Sequence, residues 1–305
     1  MRKMRLSILI PAYNFPDGIK NILPALSKVV GSSDPHVEKN FSSFEILVFD
    51  DSDNDEVKGV VDNYKSVFHD ALIYKKNTPA AGAVKNWNKL LDSANGEYVL
   101  LLHHDEYPIG SDFICRALKE IEENPAVDVF VMNVFLSSRS GRLLRAHLPN
   151  WFRQLVLTYF PKYLFIRNVI GPASALIVRK DIYPRFDENL NWLVDSELFY
   201  RLRVKTANWK ISNNISVGSV MNHAGSITNK IRSNIKIIDS KERGYLSNKH
   251  KEAARWILMN THPICGSFEK MTWLAFRIFT RPYLIMLAYK NRLNHKYASK
   301  SGSDN

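Results

Sequence analysis

Short apolar runs that end in polar residues alternate with amphipathic segments along the first half of this chain. The runs LSILIPAY, FEILVFDD, EYVLLL and VDVFVMNVFL have the composition of β-strands that are covered on both faces. Between them, AVKNWNKLLDSANG places its apolar residues on one helical face, and Gly96 is suited to end that helix. This alternation predicts an α/β domain with a mainly parallel central sheet flanked by helices.

Two further helices have boundaries that depend on individual residues. Pro24 interrupts a helical repeat of apolar residues that begins at Ile19, and we expect it to kink or split that helix. In the segment SDFICRALKEIEENP, Ser111 or Asp112 is expected to cap the helix that follows.

Polar residues follow three of the predicted strands at the point where each strand ends. Residues 11–14 follow the first strand, residues 50–53 the second, and residues 103–106 the run EYVLLL. Ligands of open α/β sheets bind outside the carboxyl ends of the strands, so we expect these segments to converge on one crevice. The sequence contains no GxGxxG or GxxxxGK[ST] loop, which argues against a standard dinucleotide site or P-loop. Acidic residues can instead bind a diphosphate through a divalent cation.

Length and cysteine content limit the classes of protein to consider. With 305 residues, 45% of them hydrophobic, the chain is long enough for one large domain with a sizeable core. Cys115 and Cys265 form no paired motif, so neither a disulfide framework nor a thiolate zinc site is predicted, and a reducing cytoplasmic compartment is favoured. The amino-terminal MRKMRLSILIPAYN lacks a small-residue cleavage site, and we interpret it as a first strand rather than a signal peptide.

The net charge of +12 is concentrated near the carboxyl terminus. From Lys230 onwards there are 15 Lys and Arg against 5 Asp and Glu, which is +10 of the total. We therefore expect one domain at 1–229 and a basic, aromatic-rich helical appendage at 230–305. A nucleic-acid enzyme would more usually carry its basic residues around the active site, so we expect no nucleic-acid partner and predict an anionic membrane surface instead.

The segment 270–296, KMTWLAFRIFTRPYLIMLAYKNRLNHK, combines aromatic, apolar and basic residues. Arg277, Arg281 and Pro282 near its middle argue against a membrane-spanning helix. A segment lying in the interface would bury its aromatic side chains while the basic ones meet anionic headgroups. The alternative is a pair of helices packed on the first domain with a solvated basic face.

Five motifs occur in the order found in one enzyme family. They are SILIPAYN, VFDDSDND, NTPAAGAVKNWN, GEYVLLLHHDEYP and WLVDSELFYRL, and together they span about residues 5–230. By these motifs the chain resembles the family 2 glycosyltransferases. The resemblance implies a GT-A fold and an inverting transfer of a sugar from a nucleotide-diphosphate sugar to an acceptor hydroxyl. It further implies surface polysaccharide or lipid-linked glycan assembly. Together with the basic carboxyl-terminal region, this predicts a cytoplasmic protein peripheral on the inner face of the cell membrane.

The resemblance assigns the first two strand ends to the nucleotide. Pro11, Ala12 and Tyr13 would line the base pocket. Asp50 and Asp51 would bind the base or ribose of the nucleotide. By itself, VFDDSDND is more typical of an Asx-turn with solvated acids than of a binding site, but its position at a strand end and the accompanying motifs favour binding. Lys85 occurs where the family often has a basic residue near the nucleotide, and a solvated helix residue is the open alternative.

The stretch LLHHDEYP falls where the family carries its D-x-D metal motif. His103 replaces the first Asp, Asp105 keeps the second, and Glu106 continues the acidic run. By this resemblance Asp105 binds the divalent cation, Mn²⁺ or Mg²⁺, while His103 ligates the metal or hydrogen-bonds the ribose of the donor. We interpret His104 as an ordinary loop histidine. His223 in NHAGSITNK corresponds to a residue that meets the metal or diphosphate in many relatives, with a structural or solvated histidine as the alternative.

In WLVDSELFYRL, Asp195 occupies the position of the family's catalytic base. A positioned carboxylate can accept the proton that the acceptor hydroxyl loses as it attacks the anomeric carbon. The alternative is that Asp195 is the N-cap of the following helix, a role compatible with catalysis. Arg201 in the same helix is expected to form an ion pair.

The aromatic-rich segment 136–168 carries no sharp motif, so an acceptor platform, a membrane-facing flap and a packed helical insert all stay open. The sequence leaves two other function classes to consider. The absence of the first Asp of D-x-D suggests a catalytically degenerate nucleotide-sugar-binding scaffold, but the presence of both Asp105 and Asp195 argues against it. A sugar nucleotidyltransferase would need a Gly-rich, basic loop after the first strand, and PAYNFPDG offers none.

Overall fold

Strands and helices alternate in the structure, a computed structural model that describes residues 4–27, 43–137, 143–220 and 233–259, with the backbone alone described at 143–145. The strands are β1 (Leu6–Ala12), β2 (Phe44–Asp50), β3 (Leu72–Lys76), β4 (Tyr98–Leu101), β5 (Glu106–Ile109), β6 (Val129–Ser137), β7 (Leu143–Ala146), β8 (Leu176–Arg179) and β9 (Trp209–Val220). The α-helices are α1 (Pro16–Ser27), α2 (Glu56–Asp62), α3 (Lys65–Phe68), α4 (Ala83–Ser93), α5 (Phe113–Glu123), α6 (Asn150–Tyr159), α7 (Val194–Lys205), α8 (Ile235–Lys249) and α9 (Ala254–Leu258).

One mixed sheet of nine strands forms the centre of the fold. Its order is β3-β2-β1-β4-β8-β6-β9-β5, and β7 pairs with β6 beside this path. The strands β3, β2, β1 and β4 run parallel, with Leu6 opposite both Phe44 and Tyr98. Beyond β4 the sheet is mixed, because β8 is antiparallel to its two neighbours and β9 is parallel to β6 but antiparallel to β5. The predicted α/β class is confirmed, and four of the strands form its continuous parallel part.

The strands β1 and β2 are buried at every position, as expected for parallel strands with helices on both faces. Pro24 lies inside α1, which runs from Pro16 to Ser27 as one helix, so the prediction that Pro24 splits it is wrong. Asp112 occupies the position before α5 as predicted, but its carboxylate pairs with Arg116 at 2.8 Å and makes no capping bond.

Two glycines allow the close packing that fixes the connection between β4 and β5. A Cβ atom at Gly18 in α1 would lie 1.8 Å from the carbonyl oxygen of His104, a distance that no side chain tolerates. A Cβ atom at Gly218 in β9 would lie 2.3 Å from the ring of Tyr107 in β5. Helix α1 and strand β9 therefore hold this connection from two directions.

The described carboxyl-terminal residues pack on the α/β domain through α8. The guanidinium of Arg243 is buried and donates hydrogen bonds to the carbonyls of Phe165 at 2.9 Å and Ile257 at 2.7 Å. Within the described ranges, no helix combines the length and the apolar character needed to cross a membrane. The predicted boundary at 229/230 and the segment 270–296 lie outside the described residues.

Candidate active site

His103, Asp105 and Glu106 come together in the connection between β4 and β5. One nitrogen or carboxylate oxygen of each residue lies within 4.8 Å of the others. Two backbone hydrogen bonds of 3.0 Å hold the connection, from the Glu106 N–H to the His103 carbonyl and from the Val220 N–H to the Asp105 carbonyl. Imidazole nitrogen and carboxylate oxygen are ligands suited to a divalent cation, so these three side chains could hold a metal ion.

The protonation of this cluster is governed by burial and by the contact between His103 and Glu106. Nδ1 of His103 lies 3.4 Å from Oε2 of Glu106. Burial disfavours the charged imidazolium, but Glu106, Asp105 and Asp195 outweigh it and raise the pKa of His103 to about 9. Burial also raises the pKa of the Glu106 carboxyl. Nε2 of His103 is buried without a hydrogen-bond partner among the described residues, and an unpartnered imidazole nitrogen beside two acids fits a cation site.

A row of aromatic rings extends from His103 along one side of the cluster. Trp87 lies 4.7 Å from the His103 ring and 5.1 Å from the Phe186 ring, and Phe186 lies 6.0 Å from Tyr183, all between centroids. The hydroxyl of Tyr183 is buried and has no hydrogen-bond partner in the described part of the chain. Burial, and then the charge of Asp195, raise the pKa of Tyr183. Tyr183 could not be predicted as a site residue, because the irregular segment around it carries no motif.

Asp195 lies in the first turn of α7, where the charges of His103, Glu106 and Asp105 act on it. The N-cap position belongs to Leu193, so the interpretation of Asp195 as the N-cap is wrong. The side chain is half-buried and makes no hydrogen bond or ion pair within the ranges that the structure describes. Burial raises the pKa of Asp195 to about 6, with His103 opposing this rise and Glu106 adding to it. Asp195 and the residues of the β4–β5 connection therefore influence one another's pKa values.

Glu197, two residues after Asp195, is fully buried and surrounded by basic groups. Its carboxylate contacts Arg201 at 2.7 Å, Lys249 at 2.8 Å and His250 at 3.1 Å. The predicted ion pair of Arg201 is therefore confirmed. Burial alone would raise the pKa of Glu197, but the hydrogen bonds from His250 and Arg201 outweigh it and lower that pKa to about 2.

The ends of β1, β2 and β4 converge as predicted. The Asn14 N–H donates to Ser52 Oγ at 2.8 Å, and the Asn14 amide donates to Asp53 at 2.8 Å. The Asp53 N–H returns a bond to Asn14 Oδ1 at 3.1 Å. On the other side, the rings of Phe15 and His104 lie 5.4 Å apart. Direct contacts therefore join the residues after β1 to those after both neighbouring strands.

Both acids at the end of β2 are buried and already hydrogen-bonded within the protein. Asp51 accepts from the Asn77 amide at 2.7 Å and from the backbone N–H groups of Ala81 at 3.0 Å and Gly82 at 2.8 Å. Asp50 accepts from the Ser52 N–H at 2.9 Å and the Tyr74 hydroxyl at 2.8 Å. Asp50 thus holds the turn that follows β2 and joins it to β3, and Asp51 holds the loop that follows β3.

The remaining predicted site residues differ in their surroundings. Pro11 and Ala12 are buried at the end of β1, whereas Tyr13 is 40% exposed. Lys85 is exposed in the first turn of α4. His223 lies outside the described residues.

Comparison with known proteins identifies the family. The family model described as glycosyl transferase family 2 matches residues 7–224. The chain belongs to this family. The match spans the sheet from β1 to β9 and includes both the β4–β5 connection and the start of α7. Residues 233–259 lie beyond it. The predicted family and enzyme class, glycosyltransferase, are confirmed.

Two curated relatives match 121 residues, or 40%, of this chain. The poly(ribitol-phosphate) beta-glucosyltransferase of Bacillus spizizenii is 29% identical over this stretch, which covers 18% of that protein. The poly(ribitol-phosphate) beta-N-acetylglucosaminyltransferase TarS of Staphylococcus aureus is 30% identical, and 19% of it is covered. The aligned part is thus less than a fifth of either relative.

A solved structure extends the comparison to the fold. The crystal structure of S. aureus TarS 1-349 in complex with UDP-GlcNAc superposes with a TM-score of 0.55 at 18% identity. The superposition covers 78% of this chain and 66% of the TarS fragment. At this level of identity the similarity establishes the fold alone, and it confirms the predicted GT-A fold.

Proposed function

We propose that this protein is an inverting glycosyltransferase that moves a sugar from a nucleotide-diphosphate sugar to an acceptor hydroxyl. One observation carries this proposal: Asp195 is electrostatically coupled to the cluster of His103, Asp105 and Glu106 in a member of glycosyl transferase family 2. Direct displacement needs a group that holds the diphosphate and a base that takes the acceptor proton. The two groups of residues are suited to these two tasks.

A divalent cation, Mn²⁺ or Mg²⁺, would be held by Asp105 together with His103 and Glu106. The buried, unpartnered Nε2 of His103 and the two nearby carboxylates support this assignment. His223 stays a proposed further ligand. When bound, the cation would neutralise charge on the diphosphate leaving group. With its pKa raised to about 9, His103 would release a proton to become a neutral ligand. The family's motif has an acid at this position, so the protein donors would carry one negative charge fewer.

Asp195 would act as the base. A carboxyl with a pKa of about 6 is largely ionised at neutral pH, yet it is more basic than an ordinary aspartate. Since no basic side chain in the described ranges forms an ion pair with Asp195, its negative charge is available to the acceptor hydroxyl. The hydroxyl of Tyr183, also unpartnered in these ranges, would donate a hydrogen bond to the sugar or the acceptor.

The nucleotide would lie across the ends of β1 and β2. Pro11, Ala12 and Tyr13 would line the base pocket, with Tyr13 supplying an exposed ring. Asp50 and Asp51 would contact the base or ribose with the lone pairs that their hydrogen bonds within the protein leave free. The exposed Lys85 would also lie near the nucleotide. Binding of UDP-GlcNAc by TarS supports a nucleoside-diphosphate sugar as the donor class.

The acceptor would be a surface polysaccharide or a lipid-linked glycan, since the two relatives above are named for transfer to poly(ribitol phosphate). Helix α6, within the segment 136–168, exposes Trp151, Leu155 and Tyr159 along one face. Its opposite face packs through the buried Arg153, which donates to the Met132 carbonyl at 2.9 Å. The segment is therefore packed on one side and offers aromatic contact area to an acceptor or membrane on the other.

We further propose that the protein works in the cytoplasm, peripheral on the inner face of the cell membrane. The support is the excess of 10 positive charges after Lys230 and the aromatic and basic composition of 270–296. Such segments bind anionic lipid surfaces without crossing the bilayer. A membrane location would bring the enzyme to a lipid-linked acceptor.

Release of nucleoside diphosphate from a panel of nucleotide sugars tests the proposed reaction. The purified protein should turn over at least one donor with Mn²⁺ or Mg²⁺ and lose that turnover when the cation is chelated. A catalytically degenerate scaffold would bind a donor but release no nucleoside diphosphate with any cation. Arg116→Gln is a suitable reference variant, because Arg116 lies in α5 and bonds to the Ile109 and Asn214 carbonyls.

A further inference from the structure

The loop before α7 is held by a carboxylate from α8, far along the chain. Glu242 is buried and accepts the backbone N–H of Asn191 at 2.6 Å, that of Trp192 at 3.1 Å and that of Leu193 at 2.8 Å. Hydrogen bonds from neutral N–H groups to an ionised carboxylate are stronger than those between two neutral groups. Three consecutive backbone groups are thus fixed by one side chain.

These bonds fix the residues that lead into α7 rather than capping its first turn. A Ser, Thr, Asn or Asp at the N-cap normally accepts from one of the first N–H groups of a helix, which have no partner within the helix. The N-cap residue of α7 is Leu193, whose side chain has no acceptor, and Glu242 instead holds its backbone N–H and those of the two residues before it. The carboxylate of Glu242 also places a negative charge near the positive end of the helix dipole. The approach to α7 is therefore fixed by α8.

A second set of contacts joins the end of α8 to α7 on the other side of Asp195. Glu197 contacts Lys249 at 2.8 Å and His250 at 3.1 Å. Ahead of the loop, Asp187 accepts from the Tyr245 hydroxyl at 2.9 Å. Helix α8 therefore contacts this part of the chain both before and after Asp195.

We infer that α8 is a brace for the start of α7 and that Glu242 is a positioning residue for Asp195. This inference rests on the proposed role of Asp195 as the base. The brace lies outside residues 7–224, which match the family model, so the carboxyl-terminal part of this chain completes the geometry of the site. A displacement of a reacting group by about 1 Å can reduce a rate by about 100-fold.

Substitution of Glu242 in the full-length protein tests the brace. Glu242→Ala leaves all three N–H groups without this acceptor, and Glu242→Gln keeps a side chain of nearly the same size with one acceptor oxygen and no charge. The alanine variant should lower kcat by about 10- to 100-fold and leave the donor KM within about twofold, because the donor residues are untouched. The kcat of the glutamine variant should lie between those of the alanine variant and the wild type. If the alanine variant does not fold, the glutamine variant is used for the same measurement.

Glu120→Ala is the matched control for a purely structural effect. Glu120 is also buried, and it accepts from Ser212 at 3.1 Å and Asn214 at 2.7 Å, both in β9 rather than in α7 or α8. It should lower the melting temperature but leave kcat unchanged. The inference is overturned if a folded Glu242 variant retains wild-type kcat, if its donor KM rises as far as kcat falls, or if Glu120→Ala lowers kcat equally.

Amide hydrogen exchange at residues 191–193, whose N–H groups Glu242 accepts, and at residue 197, whose N–H bonds to the Leu193 carbonyl, separates the brace from the proposed reaction. Exchange at these amides should be faster in Glu242→Ala than in the wild type and unchanged in Glu120→Ala. If the wild-type protein turns over no donor, the proposed function fails and this exchange experiment alone decides whether α8 braces α7. Unchanged exchange in both Glu242 variants would overturn the brace even in an active enzyme.

Discussion

Nδ1 of His103 lies 3.4 Å from Oε2 of Glu106, across the connection that joins β4 to β5. The contact couples a histidine at the first D-x-D position to an acid just after the motif. Asp105 lies between them in sequence and belongs to the same cluster. A cation entering this cluster would meet two carboxylates and one imidazole, and the predictions for the metal follow from that set of donors.

Asp105→Asn should abolish turnover or reduce it severely while the protein stays folded. An amide cannot supply the negative charge that holds a cation against a diphosphate. The measurement is nucleoside diphosphate release at subsaturating Mn²⁺ or Mg²⁺, with Asp112→Asn as the control because that acid is exposed and pairs with Arg116. Near-normal activity of Asp105→Asn under these conditions would show that Asp105 is not a ligand.

His103→Asp should bind the cation at least about tenfold more tightly, because an added negative ligand strengthens a site for a hard divalent cation. Titration of the purified protein with Mn²⁺ in a calorimeter measures this directly. His104→Asn is the neighbouring control and should leave the metal affinity unchanged. An unchanged affinity of His103→Asp would place His103 outside the ligand set.

Glu197 should contribute to stability above pH about 4.5 and lose that contribution as the pH falls towards 2. Its folded-state pKa of about 2 is below the ordinary value of 4.5, so the unfolded chain binds the proton first on acidification. By this shift Glu197→Gln should cost about 3 kcal/mol at pH 7 and less than half of that at pH 3. Urea unfolding at both pH values measures it.

Glu123→Gln is the reference for this stability measurement, because Glu123 is exposed and forms just one loose surface ion pair, with Lys119 at 3.8 Å, among the described residues. It should change the free energy of unfolding by no more than about 0.5 kcal/mol. A loss for Glu197→Gln that is the same at pH 7 and pH 3 would mean that its charge is not what stabilises the start of α7.

The protein should sediment with anionic liposomes at low salt and be released as the salt concentration rises. Replacement of Arg277 and Arg281 by Gln in the full-length chain removes two positive charges from 270–296 and should weaken this binding. Lys58 and Lys65, both in surface ion pairs near α2, provide a charge-matched control pair. Equal binding to neutral and anionic liposomes would contradict an electrostatic anchor.

The sequence predicted β1, β2, β4 and β6, because each contains a clear apolar run, but it did not predict the short strand β8, which is also largely buried. Strand β3 was missed because LIYKK is an edge strand with exposed positions, and its apolar pattern is short. Strand β5 was missed because EYPI contains Pro108, which argues against a strand, and because its pairing with β9 joins residues about 110 positions apart. Consequently Glu106 was predicted as one more acid in a loop, whereas it begins a strand and is buried.

The candidate site was predictable where motifs follow strands and unpredictable where it depends on distant contacts. The grouping of His103 with Asp105 follows from their adjacency in one motif. No local pattern relates Glu242 to Leu193, because 49 residues separate the two partners. The same holds for Tyr183, whose hydroxyl acquires its position from the packing of its ring against Phe186. Such contacts are set by the tertiary fold rather than by a sequence repeat.

The pH dependence of kcat should reflect the ionisation of the proposed base, Asp195. Because Asp195 must be ionised to accept a proton, kcat should fall on the acid side of pH about 6. A bound cation favours the carboxylate and moves this limb to lower pH. The acidic limb should be absent from the residual activity of Asp195→Asn.

The central claim is tested most directly by measuring turnover and donor affinity of Asp195→Asn side by side with the wild type. The amide keeps the size of the side chain but cannot take the proton of the acceptor hydroxyl. Turnover should fall by roughly two to four orders of magnitude while the dissociation constant of the donor stays within about twofold. A loss of donor affinity parallel to the loss of turnover, or undiminished turnover, would contradict the assignment of Asp195 as the base.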